Sequence, residues 1–269
     1  MAYYLAERNL PPIPFEKWQA CGNDFIVTEA ELPNKSQIMT LCDRHFGIGA
    51  DGLICVHPSE VADARMRIIN QDGTEAEMCG NGIRCVGQYL AAKYGREHFT
   101  VETQVGVKDL KVDGIDVHVN MGKARLLRDF AELTVRDGRQ FNASVVDIGN
   151  PHCVLFLPDC PDEMVDYYGP MIENMTVTFP ERTNVEFVTL AGKNKLRVKV
   201  WERGCGRTLA CGTGACASAY AVHARDAMGD IIQISLEGGE MEIRFDEEDN
   251  IIMVGPAELV FRGKMVKPQ

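Results

Sequence analysis

The amino-acid sequence predicts an α+β protein built from two similar halves. Short β-rich runs separated by turn signals occur along the whole chain, only two stretches have a helical pattern, and a Gly-rich motif occurs twice at a fixed distance. The length of 269 residues, with 45% apolar and 25% charged residues, is typical of a globular protein with one large or two small domains.

Runs rich in β-branched and aromatic residues predict the strands. These runs are Phe25 to Thr28, Val117 to Asn120, Leu196 to Trp201, Met241 to Phe245 and Ile251 to Val254. Because such runs outnumber the helical stretches, the sheet dominates the predicted fold.

Two stretches have a helical pattern, Gly82 to Tyr94 and Gly214 to Met228. Each follows a small Gly-rich turn, Cys79-Gly80-Asn81-Gly82 in the first case and Cys211-Gly212-Thr213-Gly214 in the second. The two turns are 132 residues apart, and other short matches follow in the same order at offsets of 127 to 133. We therefore predict a first half over 1–124 and a second half over 125–257. A final strand at about 258–269 can pair with the sheet of the first half.

Charge and targeting signals exclude several classes of function. With 39 acidic and 28 basic side chains the net charge is −11 and no basic block is present, which disfavours nucleic acid as a partner. No apolar run approaches the ~18 residues of a membrane span, and the start of the chain lacks the apolar stretch of a signal peptide. We expect a cytoplasmic protein that does not bind membranes, whose ten cysteines are free thiols.

The repeated motif predicts acid/base chemistry. A Cys at a strand-to-helix turn lies beside unpaired backbone N–H groups and the positive end of the helix dipole, which favours the thiolate. The glycines let the same turn bind a carboxylate closely. If the two motifs face each other across a cleft, one thiolate can remove a Cα proton while the opposite thiol delivers another. This is the arrangement of a two-base racemase, which needs no cofactor.

Other interpretations of the cysteines are open. A C-G-x-G turn can be purely structural, with a packed Cys and a Gly selected for its backbone angles. The cysteine spacings of six and five differ from the C-x₂₋₄-C pairs of structural zinc sites, and no C-x-x-C redox motif is present. No lysine in these motifs is placed for a pyridoxal phosphate Schiff base. We therefore expect neither a metal nor a cofactor.

At these residues the sequence resembles the diaminopimelate epimerases, which interconvert LL- and meso-2,6-diaminopimelate without a cofactor in the synthesis of lysine and cell-wall precursors. The matching segments run through most of the chain and are Gly22 to Phe25, Gly47 to Gly52, Asn70 to Gly73, Met78 to Cys85, Gly149 to His152, Thr183 to Val185, Trp201 to Gly204 and Ala210 to Ala215. The resemblance implies two pseudo-symmetric domains, each a β-sheet or barrel wrapped around a central helix, and a homodimer that acts on a small amino acid.

The resemblance also implies roles for individual residues. Cys79 and Cys211 are the two acid/base thiols, and His152 and Glu202 tune their pKa values. The residues expected to bind the substrate are Asn23, Gly52, Asn70, Gly80, Asn81, Asn150, Asn184, Glu202, Arg203, Gly212 and Thr213. Among them, Arg203 and Glu202 suit the distal carboxylate and ammonium of a substrate with two amino acid head groups.

Three positions depart from the family pattern. Cys21 stands in a turn that is usually richer in glycine, and Gly52 can contribute only its backbone. Arg207 either lowers the pKa of the Cys211 thiol or points to water. Two rival functions are a related two-thiol amino acid racemase, for example of histidine, and a catalytically silent amino acid binding protein.

Overall fold

A computed structural model describes residues 12–30, 34–225 and 227–265 of the chain. Most of the N-terminal extension before Pro14 and the last four residues of the predicted final strand lie outside the described residues. Backbone contacts divide the chain into two units. Unit 1 comprises the chain up to Ile115 together with the segment from Ala257, and unit 2 comprises Asp116–Pro256. That the predicted halves, 1–124 and 125–257, are independent domains stays a prediction.

Both units are rich in strands, and the predicted strands are present. Along the chain, unit 1 contains β1 (Ile13–Ala20), β2 (Asn23–Thr28), α1 (Lys35–Cys42), β3 (Gly52–His57), β4 (Ala64–Asn70), β5 (Glu75–Ala76), α2 (Gly80–Tyr94), β6 (His98–Thr103) and β7 (Gly106–Asp113). Unit 2 contains β8 (Asp116–Gly122), β9 (Arg125–Thr134), β10 (Gln140–Asp147), β11 (Pro151–Leu157), α3 (Asp162–Glu173), β12 (Asn184–Gly192), β13 (Lys195–Glu202), β14 (Gly206–Thr208), α4 (Gly212–His223), β15 (Ile231–Leu236), β16 (Gly239–Phe245) and β17 (Ile251–Pro256). The last strand, β18 (Glu258–Met265), returns to unit 1.

The two units share one strand order over seven strands, and unit 2 continues with two more, β17 and β8. In unit 1 the order is β18-β1-β2-β3-β4-β6-β7, with β5 paired to β4. In unit 2 the order is β9-β10-β11-β12-β13-β15-β16-β17-β8, with β14 paired to β13. The parallel pairs also correspond, β2/β3 and β4/β6 in unit 1, β11/β12 and β13/β15 in unit 2. The repeat found in the sequence is therefore a repeat of topology, and the predicted pseudo-symmetric α+β fold is confirmed.

Each sheet wraps around one helix. Helix α2 contacts β1, β2, β4, β6 and β7, and helix α4 contacts β10 to β13 and β15 to β17. Apolar side chains of α2, such as Ile83, Val86 and Leu90, are buried in this position. The two remaining helices pack against the strands through separate apolar clusters, α1 through Ile38 and Leu41 and α3 through side chains such as Val165 and Ile172.

Both central helices begin two residues before their predicted starts, at Gly80 and Gly212, and only one of the two predicted helix ends is confirmed. Helix α2 ends at Tyr94 as predicted, because Gly95 takes a left-handed conformation with φ of 69° and its N–H bonds to the Ala91 carbonyl. Helix α4 ends at His223, so the predicted end at Met228 is wrong. The amides of Arg225 and Ala227 both donate to the Val222 carbonyl, which turns the chain away from the helix axis.

Helices α1 and α3 were not predicted. Helix α1 has only eight residues, and helix α3 contains Gly169 and Pro170, which ordinarily interrupt a helix. None of the helices in the described part of the chain is long and apolar enough to cross a membrane.

Candidate active site

The two motif cysteines are the N-cap residues of the two central helices. Cys79 precedes α2 in an extended conformation, and its Sγ accepts a hydrogen bond of 3.4 Å from the Gly82 N–H. Cys211 precedes α4 in the same conformation, and its Sγ accepts a bond of 3.3 Å from the Gly214 N–H. A thiol in the position usually held by Ser, Thr, Asp or Asn therefore begins each central helix. Gly80, Asn81, Gly212 and Thr213 form the first turns, where backbone N–H groups have no partner within the helix.

In unit 1, Asn23 connects Cys79 to the rest of the motif. The Cys79 thiol lies 3.8 Å from Asn23 Oδ1, and Asn81 Nδ2 donates to the same oxygen at 3.2 Å. Asn23 Nδ2 in turn donates to Asp51 at 2.7 Å. The structure thus brings three of the predicted site residues, Asn23, Cys79 and Asn81, close together, with Asp51 as an additional partner.

Gly52 and Asn70 are paired residues at the ends of β3 and β4. A Cβ added at Gly52 would lie 2.8 Å from the Ile69 carbonyl oxygen, so the close approach of the two strands excludes a side chain there. Asn70 Nδ2 donates to Thr74 Oγ1 at 3.1 Å, which holds the amide in the turn that follows β4.

A charged cluster fixes the turn before β2. Asp24 is paired with Arg44 at 2.7 Å and with the buried Lys17 at 2.6 Å. Burial by itself raises the pKa of Asp24, but the hydrogen bonds and charges of Arg44 and Lys17 outweigh it and lower the pKa to about 2. The Asp24 carboxylate is therefore ionised at neutral pH and anchors the segment that carries Asn23.

Arg84 lies beneath the first turn of α2 and was not predicted as a site residue. Its side chain is fully buried and donates to Asn81 Oδ1 at 3.0 Å, to the Gly80 carbonyl at 3.3 Å and to Cys21 Sγ at 3.5 Å. Cys21, which departs from the family pattern, thus packs against this guanidinium in a backbone conformation with φ of 50°. A lone basic residue in the apolar stretch that follows the motif is the sequence signal for Arg84.

In unit 2, His152 is fully buried on β11 between two side chains. Its Nδ1 lies 2.7 Å from Glu186 Oε1, and its Nε2 lies 2.9 Å from Asn150 Oδ1. Glu186 was also missed by sequence reasoning, although an acidic residue inside the apolar run from Val185 to Val188 is an available signal. The structure therefore brings Asn150 and His152 together and adds Glu186 to them.

Asn184 orients the segment that carries Arg203. The amide of Asn184 donates to the Pro151 carbonyl at 3.0 Å and accepts from the Arg203 backbone N–H at 2.9 Å. The Arg203 guanidinium donates to the Glu181 carbonyl at 3.1 Å, whereas Glu202 accepts from the Thr208 hydroxyl. Glu202 and Arg203 thus bond to different partners.

The Cys211 thiol is buried next to negative charge. Burial, followed by the Glu202 and Glu186 carboxylates, raises the pKa of Cys211 well above its usual range. Burial and the nearby Glu186 likewise raise the pKa of Glu202. The expectation that the helix N-terminus would give Cys211 a lowered pKa is therefore wrong, because desolvation and the two carboxylates outweigh the helix dipole. These surroundings favour the protonated form of Cys211.

Within the described part of the chain, the Arg207 guanidinium bonds to carboxylates and not to the Cys211 thiol. Its guanidinium pairs with Glu237 at 2.7 Å and Asp162 at 2.9 Å, and it lies 3.5 Å from Asp166. The arginine therefore joins β14 to α3 and to the segment after β15.

Comparison with known proteins places the chain in a family. The family model described as diaminopimelate epimerase matches residues 15–127 and 144–260. The diaminopimelate epimerase of Desulfitobacterium hafniense is 40% identical, with 93% of this chain and 97% of that protein covered. The corresponding protein of Phocaeicola vulgatus is 41% identical, with 94% and 98% covered. The chain belongs to the diaminopimelate epimerase family. It is accordingly an isomerase, and its substrate is a small amino acid.

Solved structures show that the fold of this family member is shared more widely. A hydroxyproline epimerase from Agrobacterium vitis has a TM-score of 0.72 at 13% identity, with 94% of this chain and 90% of that chain covered. A phenazine biosynthesis protein of the PhzF family from Bacillus anthracis has a TM-score of 0.70 at 15% identity, with 96% and 100% covered. At these identities the likeness concerns the fold alone.

Proposed function

We propose that this member of the diaminopimelate epimerase family interconverts LL- and meso-2,6-diaminopimelate, with Cys79 and Cys211 as its two acid/base groups. The substrate follows from relatives about 40% identical over nearly the whole chain. The residue assignment is carried by one observation, that a cysteine caps each of two topologically equivalent helices with the same hydrogen bond. A thiol packed only for its volume would not need to repeat this geometry.

The proposed reaction moves one proton at each thiol. One thiolate takes the Cα proton, so the Cα–H bond breaks and an S–H bond forms. The other thiol gives its proton to the opposite face of Cα and becomes a thiolate. Negative charge develops on the substrate carboxylate in between, where the N–H groups of Gly80, Asn81, Gly212 and Thr213 stabilise it. Because the thiols exchange their protonation states in each turnover, the reverse reaction uses the same groups in opposite roles.

The remaining polar residues select the substrate. Arg203 binds the distal carboxylate, and Glu202 binds the distal ammonium, while Asn23, Gly52, Asn70, Asn150 and Asn184 complete the binding site. His152 and Glu202 tune the acidity of the two thiols. A substrate with a single head group would leave the charged pair desolvated and unpaired, which disfavours its binding.

The test is to incubate the reduced protein with LL-2,6-diaminopimelate in D₂O without added cofactor. The expected result is meso-diaminopimelate that carries one solvent deuterium at the inverted Cα. In Cys79→Ala and Cys211→Ala, the rate of inversion should fall by ~10²- to 10⁴-fold, the usual contribution of a positioned acid or base. Cys160→Ala, which removes a buried thiol before α3, is the control and should retain activity.

Other outcomes of the same experiment separate the alternatives. Full inversion in either active-site variant would contradict the two-thiol assignment. Binding of diaminopimelate without inversion or deuterium uptake, in protein shown to be folded and reduced, would indicate a silent binding protein. Inversion of histidine but not of diaminopimelate would indicate the related racemase.

A cytoplasmic, cofactor-independent homodimer that binds neither nucleic acid nor membranes is also part of the proposal. It rests on the family resemblance and on the acidic composition of the chain. Sedimentation of the protein should give twice the chain mass of 29.9 kDa. Activity should survive dialysis against a chelator.

A further inference from the structure

Glu186 is a buried acidic residue to which the proposed reaction assigns no part. It lies on β12 with no exposed surface, between the apolar residues Val185 and Phe187. Its Oε1 bonds to His152 Nδ1, but its Oε2 is buried without a hydrogen-bond partner among the described residues. A carboxylate oxygen that is buried and unbonded is costly, so a position of this kind indicates a role other than stability.

The carboxylate also touches the helix turn that begins at Cys211. A Cβ added at Gly214 would lie 2.7 Å from Glu186 Oε1 and 3.2 Å from Glu186 Cγ. Gly214 is the residue whose N–H donates to the Cys211 sulfur. Glu186 therefore lies between His152 and the turn that holds the proposed acid/base thiol.

We propose that Glu186 is a positioning residue that fixes the ring orientation and the Nδ1 proton of His152 and, by packing against Gly214, holds the turn that presents Cys211 for proton transfer. The inference rests on the proposed role of Cys211. A carboxylate accepts only, so its bond requires His152 to donate from Nδ1, and the ring cannot rotate without losing this bond. The titratable groups around the pair are Cys153 on β11, Glu202 on β13 and Cys211 before α4.

The test uses Glu186→Gln, which keeps the shape and removes the charge. We expect kcat to fall by ~10- to 100-fold, as is typical when a group that orients a functional histidine is lost, with KM little changed. Glu240→Gln, an exposed position on β16, is the matched control and should behave as the wild type. If Glu186→Gln folds poorly, Glu186→Asp serves instead and should restore part of the rate, because it retains a carboxylate.

Isotope effects distinguish positioning from a general structural role. In a two-base reaction Cys211 removes the Cα hydrogen from only one of the two stereoisomers. With Cα-deuterated substrates, the variant should therefore show an increased isotope effect on kcat/KM for one stereoisomer and not for the other. In parallel, ¹⁵N NMR should detect a protonated Nδ1 at His152 in the wild type and a changed Nδ1 signal in Glu186→Gln.

Two results would overturn the inference. One is a variant with wild-type kinetics and an unchanged His152 signal. The other is a slower variant in which both isotope effects and the His152 signal stay as in the wild type, since this indicates a structural role. Failure of the proposed function is distinguishable, because it appears either as full inversion in Cys211→Ala or as no inversion of diaminopimelate by the wild type, whatever the His152 signal of Glu186→Gln shows.

Discussion

The two cap cysteines have equivalent backbone positions but different side-chain neighbours. Cys79 lies beside the amide of Asn23, in a turn supported by the buried Arg84. Cys211 lies beside the carboxylates of Glu202 and Glu186, which favour its protonated form. At the scale of single residues the two motifs are therefore alike in geometry and unlike in charge.

The charge cluster at Asp24 gives a pH-dependent contribution to stability. Its pKa falls on folding from 3.8 to about 2, so its contribution is complete above about pH 4 and is lost as pH decreases towards 2. The shift corresponds to about 2 kcal/mol. When the pH is lowered from about 5 to about 2, the free energy of unfolding measured in urea should therefore decrease less for Asp24→Asn than for the wild type. The exposed Asp109→Asn is the control, and an Asp24→Asn variant with the wild-type pH dependence would contradict the assignment.

Arg84 supports the first turn of α2 through its planar fork. Arg84→Met would leave the Gly80 carbonyl and Asn81 Oδ1 without this donor in a buried place, which costs about 3 kcal/mol of unfolding free energy. Arg65→Met is the control, because Arg65 is half exposed and lies 3.9 Å from Glu102, a pair worth less than about 1 kcal/mol. Urea unfolding gives the loss of unfolding free energy in both variants. Equal losses would show that the buried contacts of Arg84 stabilise the protein no more than an exposed ion pair does.

Much of the site could be predicted from single residues, but the partners of those residues could not. Cys79, Cys211 and Asn23 stand in motifs whose spacing repeats or resembles a family. Arg84 and Glu186 are single charged residues in apolar segments, and a sequence does not tell which strand or turn will face them. The wrong expectation for the Cys211 pKa has the same cause, since Glu186 is 25 residues from Cys211 in the chain and only folding brings its charge close.

At the scale of elements, the first turns of α2 and α4 provide a matched pair of glycines. A Cβ at Gly82 would lie 3.1 Å from the terminal methyl groups of Ile54 and Ile68 and 3.5 Å from Cys79 Cβ, whereas a Cβ at Gly214 would lie 2.7 Å from Glu186 Oε1. Alanine in a helix gains roughly 0.5–1 kcal/mol over glycine. We expect Gly82→Ala to be nearly neutral in unfolding free energy and Gly214→Ala to be destabilised and to lose epimerase activity. Equal behaviour of the two variants would contradict the close contact of Glu186 with the turn.

Elements were predicted where local chemistry defines them. The Gly-rich turn locates the start of α2 to within two residues, and Gly95, which readily takes the left-handed conformation, ends the helix at the predicted Tyr94. Helix α3 escaped prediction because it continues through Gly169 and Pro170, held by the packing of Val165 and Ile172. Tertiary contacts thus override local propensity in this helix.

At the scale of the whole molecule, the chain builds unit 2 from one continuous segment and unit 1 from two. In unit 2, β8 at the start pairs with β17 at the end, so every strand of Asp116–Pro256 has its partners within the segment. In unit 1, β1 pairs with the C-terminal strand β18, and Phe15 packs edge-to-face on Phe261 with ring centres 5.9 Å apart. The backbone N–H of Ala257 donates to the Ile115 carbonyl at 3.1 Å, so the two segments of unit 1 meet where unit 2 is inserted.

This connectivity predicts which fragments fold. Residues 116–256 expressed alone should unfold cooperatively in urea, because no strand of the segment loses a partner. Residues 1–115 should not, because β1 becomes an unpaired edge and Phe15 loses the cover of β18. Joining 1–115 directly to 257–269 by a short Gly-rich linker should restore cooperative unfolding, since Ile115 and Ala257 are already hydrogen-bonded. Cooperative unfolding of 1–115 alone would show that β18 is dispensable, and failure of 116–256 to unfold cooperatively would show that unit 2 is not an independent domain.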